Sequence, residues 1–453
     1  MDDSTLLVGL DIGTTNVKAV VADTQAHGFH VIGADQEATR GMRHGKIVDI
    51  DQTAASIAKT LKNVSEKTNS KIYRVVTGIP INMLQLQRAD ASIKIGDQGK
   101  EVDDEDVKEV LGAAIHQATE SGREPITYLP SKFLIDGKTD VDDPRKMIAH
   151  QLDVDGILLT APVADLHNIK KAIERAGYQN NFFIPTPLAI ASVALDEEER
   201  TFGSIIVDMG GGSTTATVIH ENKIKYAKVD FEGGADVTHD ISVVLNTSSK
   251  TAEQIKLDFG YADPDLTSKD DKFPVNIVGQ TKPQLVDEQY LSQIINARLT
   301  QILSRLGKSL EKHEAFQLPG GVVITGGASS LQGTQDYLRE MYDVKARTFQ
   351  PDQMGMRQPA FAAAYGIVTY AYQLADIDYL VNGVLYGDNV FSDSRAAENH
   401  EFSKRHGVVN EMRLKEAYNK KESNPVPVGH KTGSKRKEND KKGFKQFFKK
   451  FFD

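Results

Sequence analysis

Two short stretches of the chain set aspartate, glycine and hydroxyl residues at matched spacing. The first runs Asp11-Ile12-Gly13-Thr14-Thr15, with Lys18 just beyond; the second runs Asp208-Met209-Gly210-Gly211-Gly212-Ser213-Thr214. Each follows one apolar run (6–10, 205–207) and precedes another (17–21, 216–219), so each predicts strand, tight turn and strand. Glycine lets the backbone bend and come close to a ligand. Successive turn amides can then face phosphate oxygens, and the hydroxyls of Thr14, Thr15, Ser213 and Thr214 can add hydrogen bonds. Carboxylates at Asp11 and Asp208 would repel bare phosphate. They make sense beside a cation such as Mg²⁺, whose retained waters bond to carboxylates. Lys18 could offset charge on a β-phosphate. The chemistry suits a nucleoside triphosphate with Mg²⁺. One such turn alone could be an ordinary hairpin; two copies about 200 residues apart are the informative observation. No G-x-x-x-x-G-K-[ST] occurs, which excludes a P-loop.

A nucleoside needs flat backbone beside the phosphates. Residues 320–331 read as strand, then Gly326-Gly327-Ala328, then helix start, and Gly233-Gly234 follows the second turn similarly. Glu253 and Lys256 lie three apart on an expected helix and so share a face. They are either a solvated pair or a bracket around ribose and adenine.

These turns need a scaffold, and 453 residues leave room for several domains. The apolar share is 40% and the charged share 26%, ordinary for packed cores. With no cysteine, disulfides and thiolate metal sites are excluded. No run reaches the roughly 18 apolar residues of a spanning helix, so a cytoplasmic protein with at most peripheral membrane contact is expected. Alternation predicts strands at 6–11, 17–22, 30–32, 182–185 and 321–325, with strand–turn–strand over 203–232. Helices are expected at 103–120 and 166–176, after the strand that ends at Pro185, at 235–246, 251–258 and 288–314, and another after Gly327. This is an α/β pattern. From about 392 to 440 the chain is polar with Pro425 and Pro427, and reads as a disordered linker that could hold helical pieces at 409–418.

In this order the segments resemble the actin, Hsp70 and sugar-kinase superfamily, over residues 5–390. Two regions narrow the resemblance to the FtsA family. One is 85–165, with 102–111, Ile126-Thr127-Tyr128-Leu129-Pro130, 133–137, Asp143-Pro144 and 152–160; the other is the terminal Phe/Lys segment on its linker. The resemblance implies an actin-like ATPase fold of two lobes. Subdomain 1A would take 1–84 and 165–196, the inserted subdomain 1C 85–164, subdomain 2A 197–233 and 312–390, and subdomain 2B 234–311. A flexible linker (391–440) and an amphipathic helix (441–453) would follow. Hydrolysing relatives place Gln or Glu near the start of the connecting helix, where this chain has Thr186. ATP binding is therefore expected, with hydrolysis weak or absent.

The resemblance also implies polymerisation at the cytoplasmic face of the cell membrane, at the division site. Expected partners are tubulin-like FtsZ through its C-terminal peptide, further copies of the chain head to tail, anionic lipids and later division proteins, but no nucleic acid. The peptide would dock on 234–311 near Arg298 and Arg305, unless these arginines merely solvate their helix. A pilus or secretion scaffold of the same fold, or a small-molecule kinase, are the alternatives. The net charge is −9, yet residues 431–453 hold nine Lys or Arg against three acids. Phe444, Phe447, Phe448, Phe451 and Phe452 recur at i, i+3, i+4, i+7 and i+8, one helical stripe, with Lys445, Lys449 and Lys450 outside it. Aromatics opposite lysines suit an anionic membrane surface, although docking on the protein's own body or in a partner groove would use the same stripe.

Overall fold

The computed structural model describes residues 6–24 and 28–387. The expected linker (391–440), the pieces at 409–418 and the Phe/Lys helix (441–453) lie outside the described residues.

Two five-stranded sheets repeat one topology. In the first, Leu6–Ile12, Asn16–Asp23 and His30–Ala38 form an antiparallel meander, and Arg74–Ile79 and Gln179–Pro185 add in parallel on the far side of Leu6–Ile12. In the second, Ser204–Met209, Thr214–His220 and Lys223–Asp230 form the meander, and Val322–Thr325 and Ala346–Thr348 add in parallel. The second sheet corrects the reading of 203–232 as two strands. A two-residue turn, Glu221 and Asn222 with φ 50° and 58°, reverses the chain into a third, the positive-φ pattern of a type I′ hairpin. The first sheet also extends the expected strand at His30 to Ala38.

The repeat extends to the helices between the lobes. Thr186–Ala194 is buried on almost every side, as its mostly apolar sequence requires. It crosses Ala362–Tyr372 so closely that a Cβ on Gly366 would lie 2.2 Å from the Ala189 carbonyl oxygen. Around this crossing Ile157 and Leu159 meet Leu188, Ile190, Ile206, Ile219 and Val323, one core shared by both lobes.

The segment 85–164 folds apart from both sheets. Four antiparallel strands run in the order Thr139–Val141, Arg123–Ile135, Gln151–Pro162, Gln85–Lys94. Helix Asp104–Ala118 covers them. Asp103 caps it by accepting from Asp106 N at 3.0 Å, with three acidic residues in the first turn to meet the helix dipole. The cover is completed from far along the chain. Leu380 and Val381 of the last described helix, Asp376–Tyr386, belong to the same core as Val107, Leu111, Phe133 and Leu152. On the second lobe, helices Gly234–Val244, Ser249–Phe259 and Glu288–Lys312 pack with the hairpin Lys272–Val275/Gln284–Asp287.

Candidate functional site

The two turns form the inner ends of the two meanders and match residue for residue. Gly13 N donates to Asn16 O at 3.0 Å, and Gly210 N donates to Ser213 O at 2.9 Å. Register sets Asp11 opposite Lys18 and Asp208 opposite Thr215. Thr14 and Thr15 therefore correspond to Gly211 and Gly212. The tips meet: a Cβ on Gly211 would lie 2.2 Å from Thr15 Cγ2, and one on Gly212 2.7 Å from Thr14 Cγ2. The glycines leave the space that the threonine side chains of the opposite lobe occupy.

Charge converges at the same place. Lys18 Nζ lies 3.1 Å from Asp11 Oδ2, with 11% and 18% of the side chains exposed. Asp208 is half-buried as a residue, but its carboxyl is enclosed. Burial first, and the Asp11 carboxylate second, push it up to about 6, against the opposing pull of Lys18. Lys18 thus pairs with one carboxylate, and the other, from the opposite lobe, feels it only at a distance. Among the described residues no three His, Asp or Glu side chains gather as a metal-holding group.

Lobe two assembles the rest from distant segments. Gly234 N and Ala235 N, opening helix Gly234–Val244, donate to Gly210 O (3.0 Å) and Gly211 O (2.8 Å) and brace the second turn. A Cβ on Gly234 would lie 3.1 Å from Ala328 Cβ. Lys256 Nζ donates to Gly234 O (2.9 Å), Thr238 Oγ1 (2.8 Å) and Glu253 Oε2 (2.8 Å). Lys256 thus ties the Glu253 carboxylate to the start of helix Gly234–Val244. Gly326, at φ 88°, sits where a Cβ would be 2.3 Å from Asp208 Oδ1. Gly327 opens a single 3-10 turn, Gly327–Ser330, instead of the expected helix, which begins only at Thr334.

Two sequence-based roles change. Thr214 is buried in its strand and its hydroxyl donates to Glu232 O at 3.0 Å, so it fastens the loop after the meander instead of pointing at a ligand. Arg298 and Arg305 are not free positive charge. Arg298 reaches Asp240 (2.7 Å) and Glu232 (2.8 Å), and Arg305 reaches Asp230 (2.5 Å) and Glu232. Three carboxylates against two guanidiniums leave that cluster acidic.

Thr186 opens the connecting helix and is buried, its hydroxyl close to Gly78. Sequence reasoning missed Gly45, whose N–H donates to Thr14 Oγ1 at 3.0 Å from a hairpin remote in sequence; no local pattern advertises that contact.

The family model "Cell division protein FtsA" matches residues 205–366, and the model "SHS2 domain inserted in FTSA" matches 82–160. Cell division protein FtsA of Enterococcus hirae is 40% identical over 393 residues, 87% of this chain and 89% of that protein. The Bacillus subtilis (strain 168) protein of the same name is 32% identical over 377 residues, 83% and 86%. Among solved structures, the PilM-PilN type IV pilus biogenesis complex matches with a TM-score of 0.57 at 16% identity, covering 80% of this chain and 98% of that one; at this identity the likeness concerns the fold alone. The chain belongs to the family of cell division protein FtsA.

Proposed function

We propose that the chain binds ATP with Mg²⁺ between its two turns, assembles head to tail, and holds a tubulin-like FtsZ filament to the cytoplasmic face of the membrane. The observation that carries the nucleotide reading is the matched pair of turns meeting tip to tip, with Asp11 paired to Lys18 and its charge felt by the enclosed Asp208 carboxyl of the other lobe. Gly13, Thr14, Thr15, Gly210, Gly211, Gly212 and Ser213 would present amides and hydroxyls to phosphate. Gly233, Gly234, Gly326, Gly327 and Ala328 would give ribose and base a surface without obstructing side chains, with Glu253 and Lys256 beside it. Asp11 and Asp208 would hold Mg²⁺ through its waters, and the ion would neutralise phosphate charge. Lys18 keeps the Asp11 carboxylate oriented. Thr186, with no carboxylate to polarise water, supports binding with weak or absent hydrolysis.

Attachment belongs to the tail. A helix of about 13 residues is about 20 Å long, too short to cross a core of about 30 Å. Its phenylalanine stripe and lysines suit the interface, each nearby lysine adding roughly 1 kcal/mol. Polymers presenting many such helices on linkers gain avidity without new contacts. The FtsZ peptide is assigned to subdomain 2B, 234–311, near Arg298 and Arg305. A peptide acid there must compete with Asp230, Glu232 and Asp240 for those guanidiniums.

Calorimetric titration with ATP tests the site: binding in Mg²⁺ and little in EDTA is expected, and no heat in either would end the reading. Flotation with anionic liposomes tests the tail. The full chain should float and a truncation before Lys441 should not; equal flotation refutes the anchor.

A further inference from the structure

Residues 39–49 join the edge strand to helix Ile50–Thr68. They wrap the first turn. Thr39 N donates to Thr15 O at 2.9 Å, and Gly41 O accepts from Val48 N (2.8 Å) and Asp49 N (3.0 Å), closing the loop. Inside it, Met42–Arg43 and Lys46–Ile47 pair across a two-residue turn. His44 and Gly45 stand there at φ 48° and 76°, the doubled positive φ of a type I′ turn. Such a turn carries its residues at a fixed tip rather than on a floppy loop. Side chains and backbone on lobe one hold that tip: Gly45 N donates to Thr14 Oγ1 (3.0 Å), Asn82 Nδ2 to His44 O (3.4 Å), and Lys46 Nζ meets Asp165 Oδ2 (2.9 Å).

The tip reaches lobe two. The His44 ring stands edge-on to the Phe231 ring, centroids 6.3 Å apart and planes at 86°, the arrangement the aromatic quadrupole favours. Phe231 is a large apolar side chain left 51% exposed. It directly precedes Glu232, Gly233 and Gly234, the backbone that braces the second phosphate turn. The ring pair therefore bridges the same cleft as the Thr14–Gly212 and Thr15–Gly211 contacts, with Thr14 common to both bridges.

The geometry points to His44 and Phe231 as positioning residues of an interlobe latch, which holds the two phosphate turns together and slows nucleotide release. The inference rests on the reading of the turns as a nucleotide site. A nucleotide clasped between the turns leaves only when they part, and parting them breaks the ring contact. The latch is also coupled to occupancy. Thr14 Oγ1 accepts from Gly45 and keeps its own proton to donate to a phosphate oxygen, so the residue that would touch phosphate is the one that seats the tip.

The test uses the full chain and a fluorescent ATP analogue with Mg²⁺ in stopped flow. An edge-to-face pair is worth roughly two- to tenfold in a rate. His44→Ala and Phe231→Ala should each speed dissociation by about that factor and leave association nearly unchanged. The double variant should be no faster than either alone, because both remove one contact. Phe231→Tyr, which keeps the ring, should release at the parental rate. A chain without cysteine also allows a clean cross-link. His44→Cys/Phe231→Cys treated with a short bis-maleimide should join efficiently with Mg-ATP and less without nucleotide. Parental release rates in both alanine variants, or a cross-link indifferent to nucleotide, would overturn the latch while leaving the site intact. A parent that binds no ATP analogue would overturn the site reading, and the latch with it.

Discussion

Opposite Asp11 the neighbouring strand carries Lys18; opposite Asp208 it carries Thr215. The two turns close with the same hydrogen bond to within 0.1 Å, yet one aspartate has a lysine across the strand pair and the other has none. The tips differ in the same complementary way: threonines on lobe one, glycines on lobe two. A repeated backbone has thus divided its labour. Lobe one supplies hydroxyls and the cation, while lobe two supplies space and a carboxyl with no cation across its strand pair. That difference says more about the site than the repeat itself, because a symmetric pair of turns would be either overfilled by four threonines or empty between four glycines.

The strongest test of the division removes each aspartate in turn. Asp11→Ala and Asp208→Asn should both weaken Mg²⁺-dependent ATP binding, each by about 100-fold, or roughly 3 kcal/mol, measured by calorimetry. Their effects on the ligand-free protein should oppose each other. Asp11→Ala strands the mostly buried Lys18 and should lower Tm, since breaking such a pair costs up to about 3–5 kcal/mol. Asp208→Asn removes a carboxylate that its surroundings disfavour and should raise Tm at pH 7.5. Equal Tm shifts would break the comparison.

The tips come next. Gly211→Ala drives a methyl into Thr15 and should cost about 1–3 kcal/mol in overpacking, read as about a tenfold loss of ATP affinity. Thr15→Gly in the same chain should recover much of it, because the two positions share one space. No recovery would mean that the tips act independently.

The smallest effect is with pH. A carboxyl raised to about 6 in the folded protein binds its proton more tightly than in the unfolded chain, where it titrates near 3.8. Its contribution to ligand-free stability is therefore complete below about 4 and is lost as pH rises through 6. Mg²⁺ needs the ionised form, so the direction for binding is reversed. Between pH 7.5 and 5.5 the ionised fraction falls about fourfold, and Mg-ATP affinity should fall with it. Thr215→Lys would give the second turn the first turn's cation and should move that dependence to lower pH. An unchanged profile in Thr215→Lys would show that cross-strand charge is not what separates the two aspartates.

Local chemistry made the turns legible. Asp, Gly and hydroxyl residues between apolar runs left a pattern that no other arrangement needed, and the flanking strands followed. Helix Ile50–Thr68 left no such pattern. Three of its seven buried residues, Thr53, Ser56 and Thr60, carry hydroxyls satisfied by carbonyls four residues back, so the apolar period is diluted. The paired state of Arg298 and Arg305 was equally hidden. Their acids lie 58 to 75 residues away in sequence, on a strand end and another helix, and only tertiary placement joins them. Gly45 reaches Thr14 by the same kind of distant contact.

The last described helix has a consequence for how the molecule is made. Leu380 and Val381 finish the core of the segment 85–164, and Asp376 meets Arg145 across 231 residues. A ribosome adding about 5–20 residues per second needs roughly 10–50 s to cover that span. During that interval the four-stranded sheet stands complete in sequence but bare where the helix will lie. The newborn chain therefore carries an apolar face, open to chaperones and to its own neighbours on the polysome, until almost the whole two-lobed body has been synthesised.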